Sequence, residues 1–156
     1  MTVVVVAEDD ADLRLLIVRA FSRTGYDVIA AADGPSALAA ARDTAVRAVA
    51  LDVCLPGMSG LQVCRRLRAE AHGRHVMISI FSADIRDGVR ESAFAAGADR
   101  FLAKPFRLHE LTGPVAAALT AEEDLMTPWL AADLAGRATL GYALDVAVPA
   151  VTEATA

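Results

Sequence analysis

Three acids, one hydroxyl and one ammonium are the groups in this chain best placed to do chemistry. Asp52 closes the apolar run Ala48-Val49-Ala50-Leu51, and Glu8 and Asp9 close another, Val3–Ala7. Ser82 ends a third apolar run, and Lys104, followed by Pro105, ends the last. Carboxylates gathered in one place repel one another, which raises their pKa unless a cation is present. Lys104 is the single lysine among the 15 Lys and Arg residues, and its compact ammonium is not interchangeable with a guanidinium. Taken singly, each residue has a plainer reading: Asp52 capping the turn after it, Ser82 capping a helix. Their common position argues for a site.

That position follows from the elements. An apolar run bounded by a turn signal, as Asp52's run is by Pro56-Gly57, reads as a buried strand of a parallel sheet. Strands are expected at Val3–Ala7, Tyr26–Ala31, Arg47–Leu51, Val76–Phe81 and Asp99–Ala103. Helical patterns alternate with them. The first, capped by Asp10 or Asp12, carries Leu13, Leu16, Ile17, Ala20 and Phe21 on one face and stops at Gly25. Asp33-Gly34-Pro35 opens the second; Met58–Ala71, Asp87–Ala96 and Leu108–Leu119 are the others. Repeated strand–helix units imply an α/β fold, a doubly wound five-stranded parallel sheet covered on both faces. Val3-Val4-Val5-Val6 offers no polar face to water, so the first strand must be central. Carboxyl ends of the strands form the rim on which such sheets place their ligands, and Glu8/Asp9, Asp52, Ser82 and Lys104 all fall there. Cys64 reads as core packing and His72, His75 and His109 as solvated, since none has ligand partners at metal spacing.

At 156 residues and 55% hydrophobic, the chain can bury a real core. No apolar stretch approaches the roughly 20 residues of a membrane span, and the start lacks the basic residues of a signal peptide. Cys54 and Cys64 make no disulfide framework, and a cytoplasmic location is expected. A net charge of −5 argues against nonspecific nucleic-acid binding. The acid excess lies in residues 121–156, which hold Glu122, Glu123, Asp124, Asp133, Asp145 and Glu153 against Arg137.

These pieces together resemble the receiver domain of two-component response regulators. Val5-Val6-Ala7-Glu8-Asp9-Asp10 is similar to that family's first strand and acidic pair, and Leu51-Asp52-Val53-Cys54-Leu55-Pro56-Gly57-Met58-Ser59-Gly60 to its phosphoacceptor strand and loop. Phe81-Ser82-Ala83 matches its strand-four motif, and Ala96 to Phe106, containing Lys104-Pro105, its last strand and turn. The resemblance implies a flavodoxin-like strand order 2-1-3-4-5 over residues 1–120, and phosphorylation of Asp52 by a sensor histidine kinase or phosphotransfer protein. It implies Mg²⁺ on Asp9, Asp52 and the Cys54 carbonyl, with Glu8 acting through water, and Lys104 pairing with the phosphoryl oxygens. Ser82 and Phe101 are implied as the switch that alters a helix 4–strand 5–helix 5 face for a downstream protein partner. A phosphoacceptor of this kind is a signalling protein rather than an enzyme. The competing readings are an enzyme with an aspartyl-phosphate intermediate, for which no second acid/base or substrate pocket is evident, and an interaction module that is never phosphorylated.

Two features depart from the family. Gly113-Pro114 falls inside the fifth helix, where proline removes a hydrogen bond. Residues 121–156 are a short acidic extension, too small for a winged-helix output domain, so the chain is expected to act without a DNA-binding domain. Thr127-Pro128 opens a helical pattern, and Leu140, Tyr142, Leu144, Val146 and Val148 alternate as in a strand. A lone strand needs a sheet edge, and exchange between two chains would give a homodimer.

Overall fold

In a computed structural model the residues described are 2–121. Five parallel strands, β1 (Val3–Ala7), β2 (Asp27–Ala31), β3 (Val46–Asp52), β4 (Met77–Ser82) and β5 (Arg100–Ala103), form one sheet in the order β2-β1-β3-β4-β5. Helices α1 (Ala11–Ser22), α2 (Gly34–Ala41), α3 (Gly60–Ala69) and α4 (Val89–Ala95) connect them, and α5 spans 108–121. A 3₁₀ turn at His72–His75, which no sequence pattern announced, joins α3 to β4. The expected helix and strand signals of residues 127–148 lie outside the described residues.

The sheet is dry because its strands are apolar on both faces. Val4, Val5, Val6 and Ala7 are fully buried, as are Leu51, Ile78, Ile80 and Phe81. Edge strand β2 differs: Asp27, Ile29 and Ala30 are exposed. Register then brings the strand ends together. Ala7 pairs with Leu51, so Glu8 and Asp52 come next on adjacent strands. Asp52 pairs with Phe81 and Ser82 with Ala103, which puts Ser82 and Lys104 one position further along.

The helix ends are set by local chemistry. Asp10, not Asp12, caps α1, its side chain accepting from the Leu13 N–H. Of the expected apolar face only Ile17 and Phe21, four residues apart, are fully buried; Leu16 is 51% exposed, because it sits a quarter-turn or so round the axis from that line. Helix α3 starts at Gly60 rather than Met58, since Ser59 and Gln62 form a capping box. Helix α4 begins at Val89, after Gly88 in the left-handed region at φ 92°. The helical run of α5 passes through Gly113-Pro114 without a break.

Cys64 packs in the core with its thiol donating to the Ala96 carbonyl, and burial pushes that thiol up to about 11. His72 is not solvated as expected: its Nε2 is buried and has no hydrogen-bond partner. Arg68 joins α3 to its surroundings, donating to the Gly97, Gly73 and Val76 carbonyls and pairing with Asp99 at 2.8 Å. Asp99 also accepts from the Ile78 N–H.

Candidate functional site

Four of the proposed site residues sit where a strand stops, whereas Phe101 lies within β5. Asp52 is the last residue of β3 and Ser82 the last of β4; Glu8 and Lys104 directly follow β1 and β5. Two close approaches hold the rim in shape. Arg14 at the start of α1 donates to the Glu8 carbonyl at 2.7 Å and to that of Asp9 at 3.3 Å, bracing the turn that carries both acids. Gly60 opens α3 against β3, and a Cβ there would lie 2.1 Å from the Asp52 carbonyl oxygen. The Val53 N–H donates to the Phe81 carbonyl, extending the β3–β4 ladder past Asp52.

Glu8, Asp9 and Asp52 offer carboxylate oxygens that all lie within 4.8 Å of one another. Glu8 and Asp52 are nearly inaccessible, at 1% and 3%, whereas Asp9 is exposed. Lys104 reaches among them, its Nζ 2.7 Å from Glu8 Oε2 and 3.4 Å from Asp52 Oδ2. It stands 5.4 Å above the Phe81 ring, which in turn meets Phe106 edge-on. Glu8 has both oxygens engaged: the other accepts from the Asp10 N–H at 3.1 Å. Asp52 accepts from the Cys54 backbone N–H. Cys54 itself is exposed.

These surroundings set the charges. Burial pushes the Asp52 carboxyl up; the Lys104 charge and hydrogen bond and the Cys54 N–H pull it back, and the Asp9 charge adds to the rise. Glu8 is likewise raised, by burial first, against the pull of Lys104 and the Asp10 N–H. Burial opposes the Lys104 charge, yet the Glu8 hydrogen bond and the Asp52 and Glu8 charges outweigh it, so its pKa rises. Lys104 is thus the counter-ion of two buried acids.

Ser82 is fully buried. Its Oγ accepts from the Asp84 N–H at 3.0 Å, which leaves the hydroxyl proton available to donate elsewhere. Phe101 is half-buried and packs against the core. Sequence reasoning did not anticipate the Phe81 ring under Lys104, the bracing by Arg14, or Arg86. The Arg86 guanidinium forks onto Asp84, and its hydrogen bonds push the Asp84 carboxyl down to about 2. Of these only Asp84–Arg86, an opposite-charge pair two residues apart just past Ser82, leaves a trace in the sequence.

A group of three carboxylates with an exposed member suits a hard divalent cation with oxygen preference.

The family model for the response regulator receiver domain matches residues 4–116. Among curated relatives, the DNA-binding response regulator MtrA of Mycobacterium tuberculosis is 36% identical over 121 residues, which is 78% of this chain and 52% of MtrA. This chain therefore spans about half the length of that relative. A receiver domain of a sensor histidine kinase from Pseudomonas aeruginosa, solved with magnesium coordinated in its active site cleft, superposes with a TM-score of 0.66 at 31% identity, covering 74% of this chain and 93% of that one. The chemotaxis protein CheY4 of Vibrio cholerae gives 0.67 at 26% identity, covering 74% and 96%.

Proposed function

The chain belongs to the response regulator receiver domain family, and from that premise we propose that Asp52 accepts a phosphoryl group from a sensor histidine kinase or phosphotransfer protein. The observation that carries this reading is the placement of Lys104, lodged between the buried carboxylates of Glu8 and Asp52 at the sheet rim. An Asp52 oxygen attacks phosphorus, the new O–P bond forming as the bond to the donor's leaving group breaks and that group departs with the electron pair. Lys104 shifts from the carboxylates to a phosphoryl oxygen, replacing one anionic partner by another at little net cost. Ser82 turns its free hydroxyl proton to a second phosphoryl oxygen. Mg²⁺, held by Asp9, Asp52 and the Cys54 carbonyl with Glu8 acting through water, would supply the positive charge that offsets the acids and the phosphoryl oxygens.

Phosphorylation then acts through Ser82 and Lys104, because only a group that binds two states unequally shifts their balance. With Ser82 drawn to the phosphoryl group, Phe101 turns inward and the face of α4, β5 and the start of α5 changes its affinity for a protein partner. The domain carrying this function is residues 1–120, and residues 121–156 form its acidic extension.

Acetyl phosphate with Mg²⁺, followed by intact mass, tests the reading. One hydroxylamine-labile phosphoryl adduct is expected on Asp52, and none on Asp52→Asn, whose amide is not a competent nucleophile. Stoichiometric labelling of another residue would refute the assignment, and steady turnover of a small phosphorylated substrate would favour the enzyme reading.

A further inference from the structure

We propose that Arg86 is a positioning residue for phosphoryl transfer to Asp52: it cancels the charge of Asp84, an acid at the mouth of the site that otherwise repels the anionic phosphodonor. This rests on Asp52 being the phosphoacceptor. Asp84 lies two residues past Ser82, and its N–H on Ser82 Oγ ties it to the rim. Arg86 Nε donates to Asp84 Oδ1 at 2.9 Å and Oδ2 at 3.0 Å, Nη2 donates again to Oδ2, and the Arg86 backbone N–H donates to Oδ1. One cation therefore occupies both oxygens. Arg86 also lines a cavity of about 400 Å³ with Val53, Leu61, Val89 and Ser92. Val53 directly follows Asp52, so this cavity adjoins the end of the acceptor strand.

Stability does not account for this fork. The Arg86 side chain is 85% exposed, and pairs so open to water contribute little to folding. Its effect is on the field at the entrance. Glu8, Asp9 and Asp52 already outnumber the Lys104 charge they surround. An incoming phosphodonor is itself anionic, and like charges at a mouth slow its capture. An aspartate carboxyl is ionised at neutral pH even at its ordinary value, so only a neighbouring cation such as Arg86 can cancel the charge of Asp84.

The full chain is labelled with acetyl phosphate at saturating Mg²⁺, and the rate of the Asp52 adduct is followed by intact mass at low and high salt. Arg86→Gln is expected to label at least about threefold more slowly at low ionic strength, the deficit fading at about 0.5 M salt where screening is short-ranged. Arg86→Lys, which keeps the charge, should stay close to wild type, and Asp84→Asn combined with Arg86→Gln should restore the rate. A wild-type rate for Arg86→Gln, a deficit that ignores salt, or one that Asp84→Asn does not relieve overturns the proposal. Absence of an Asp52 adduct in the wild type itself would instead defeat the phosphoacceptor reading and take this inference with it.

Discussion

Glu8 and Asp52 are the residues at which this fold works against its own stability. Both are buried beside a third acid, and both have raised pKa values because burial outweighs the help of Lys104. A carboxyl raised in the fold keeps its proton at a pH where the unfolded chain has released it. The stabilisation is therefore complete below the ordinary values of 3.8 for Asp and 4.5 for Glu, and is lost as pH rises through the folded-state values. Without metal, Asp52→Asn should gain on wild type as pH rises through this window. Urea denaturation in EDTA at several pH values checks this, and a difference independent of pH would contradict it. Mg²⁺ at about 100 times its Kd should stabilise the wild type by about 2.7 kcal/mol and leave an Asp9→Asn, Asp52→Asn double variant unmoved.

At the scale of elements, the site depends on how closely α3 approaches β3. The helix starts at Gly60, capped by Ser59, with its first residue against the Asp52 backbone. Gly60→Ala puts a methyl 2.1 Å from the Asp52 carbonyl oxygen, and backbone has to move. Overpacking of this kind typically costs about 1–3 kcal/mol, occasionally more. A lower urea midpoint is expected, together with slower labelling of Asp52, since the strand end that carries the nucleophile is what shifts. Unchanged stability and labelling would show that the helix start yields instead. Arg68 has the comparable structural role on the far side of α3, joining it to the 3₁₀ turn and to the α4–β5 connection through four hydrogen-bonding partners.

For the whole molecule, the chain spans about half of its curated relative MtrA, and its excess of acids over bases lies beyond the receiver portion, in residues 121–156. The alternating apolar pattern of 140–148 is a strand signal that requires a partner edge. Exchange of this segment between two copies predicts a homodimer independent of α5. Deleting residues 121–156 should then leave a monomer that still phosphorylates at Asp52. Light scattering that finds the same oligomeric state before and after deletion rejects the exchange.

The sequence by itself determined the strands, their order through family resemblance, and which residues meet at the rim. Apolar runs buried on both faces have few other ways to fold, and the first, third, fourth and fifth ended on or next to a polar residue. The strand ends were off by one residue at most, because a ladder stops where hydrogen-bond partners stop rather than where hydrophobicity does. Helix ends depended on caps: the Ser59 box moved α3 two residues from its expected start, and Gly88 moved α4 by two. Tertiary structure alone decided the rest. Whether Lys104 faces Glu8 or Asp52 depends on the register of β1, β3 and β5, which no local pattern encodes. The exposure of Leu16 and the burial of His72 Nε2 depend on which neighbour packs where. The Phe81 ring beneath Lys104 and the fork of Arg86 on Asp84 are likewise settled by side-chain placement, since the same residue types at the same spacing occur with and without such contacts.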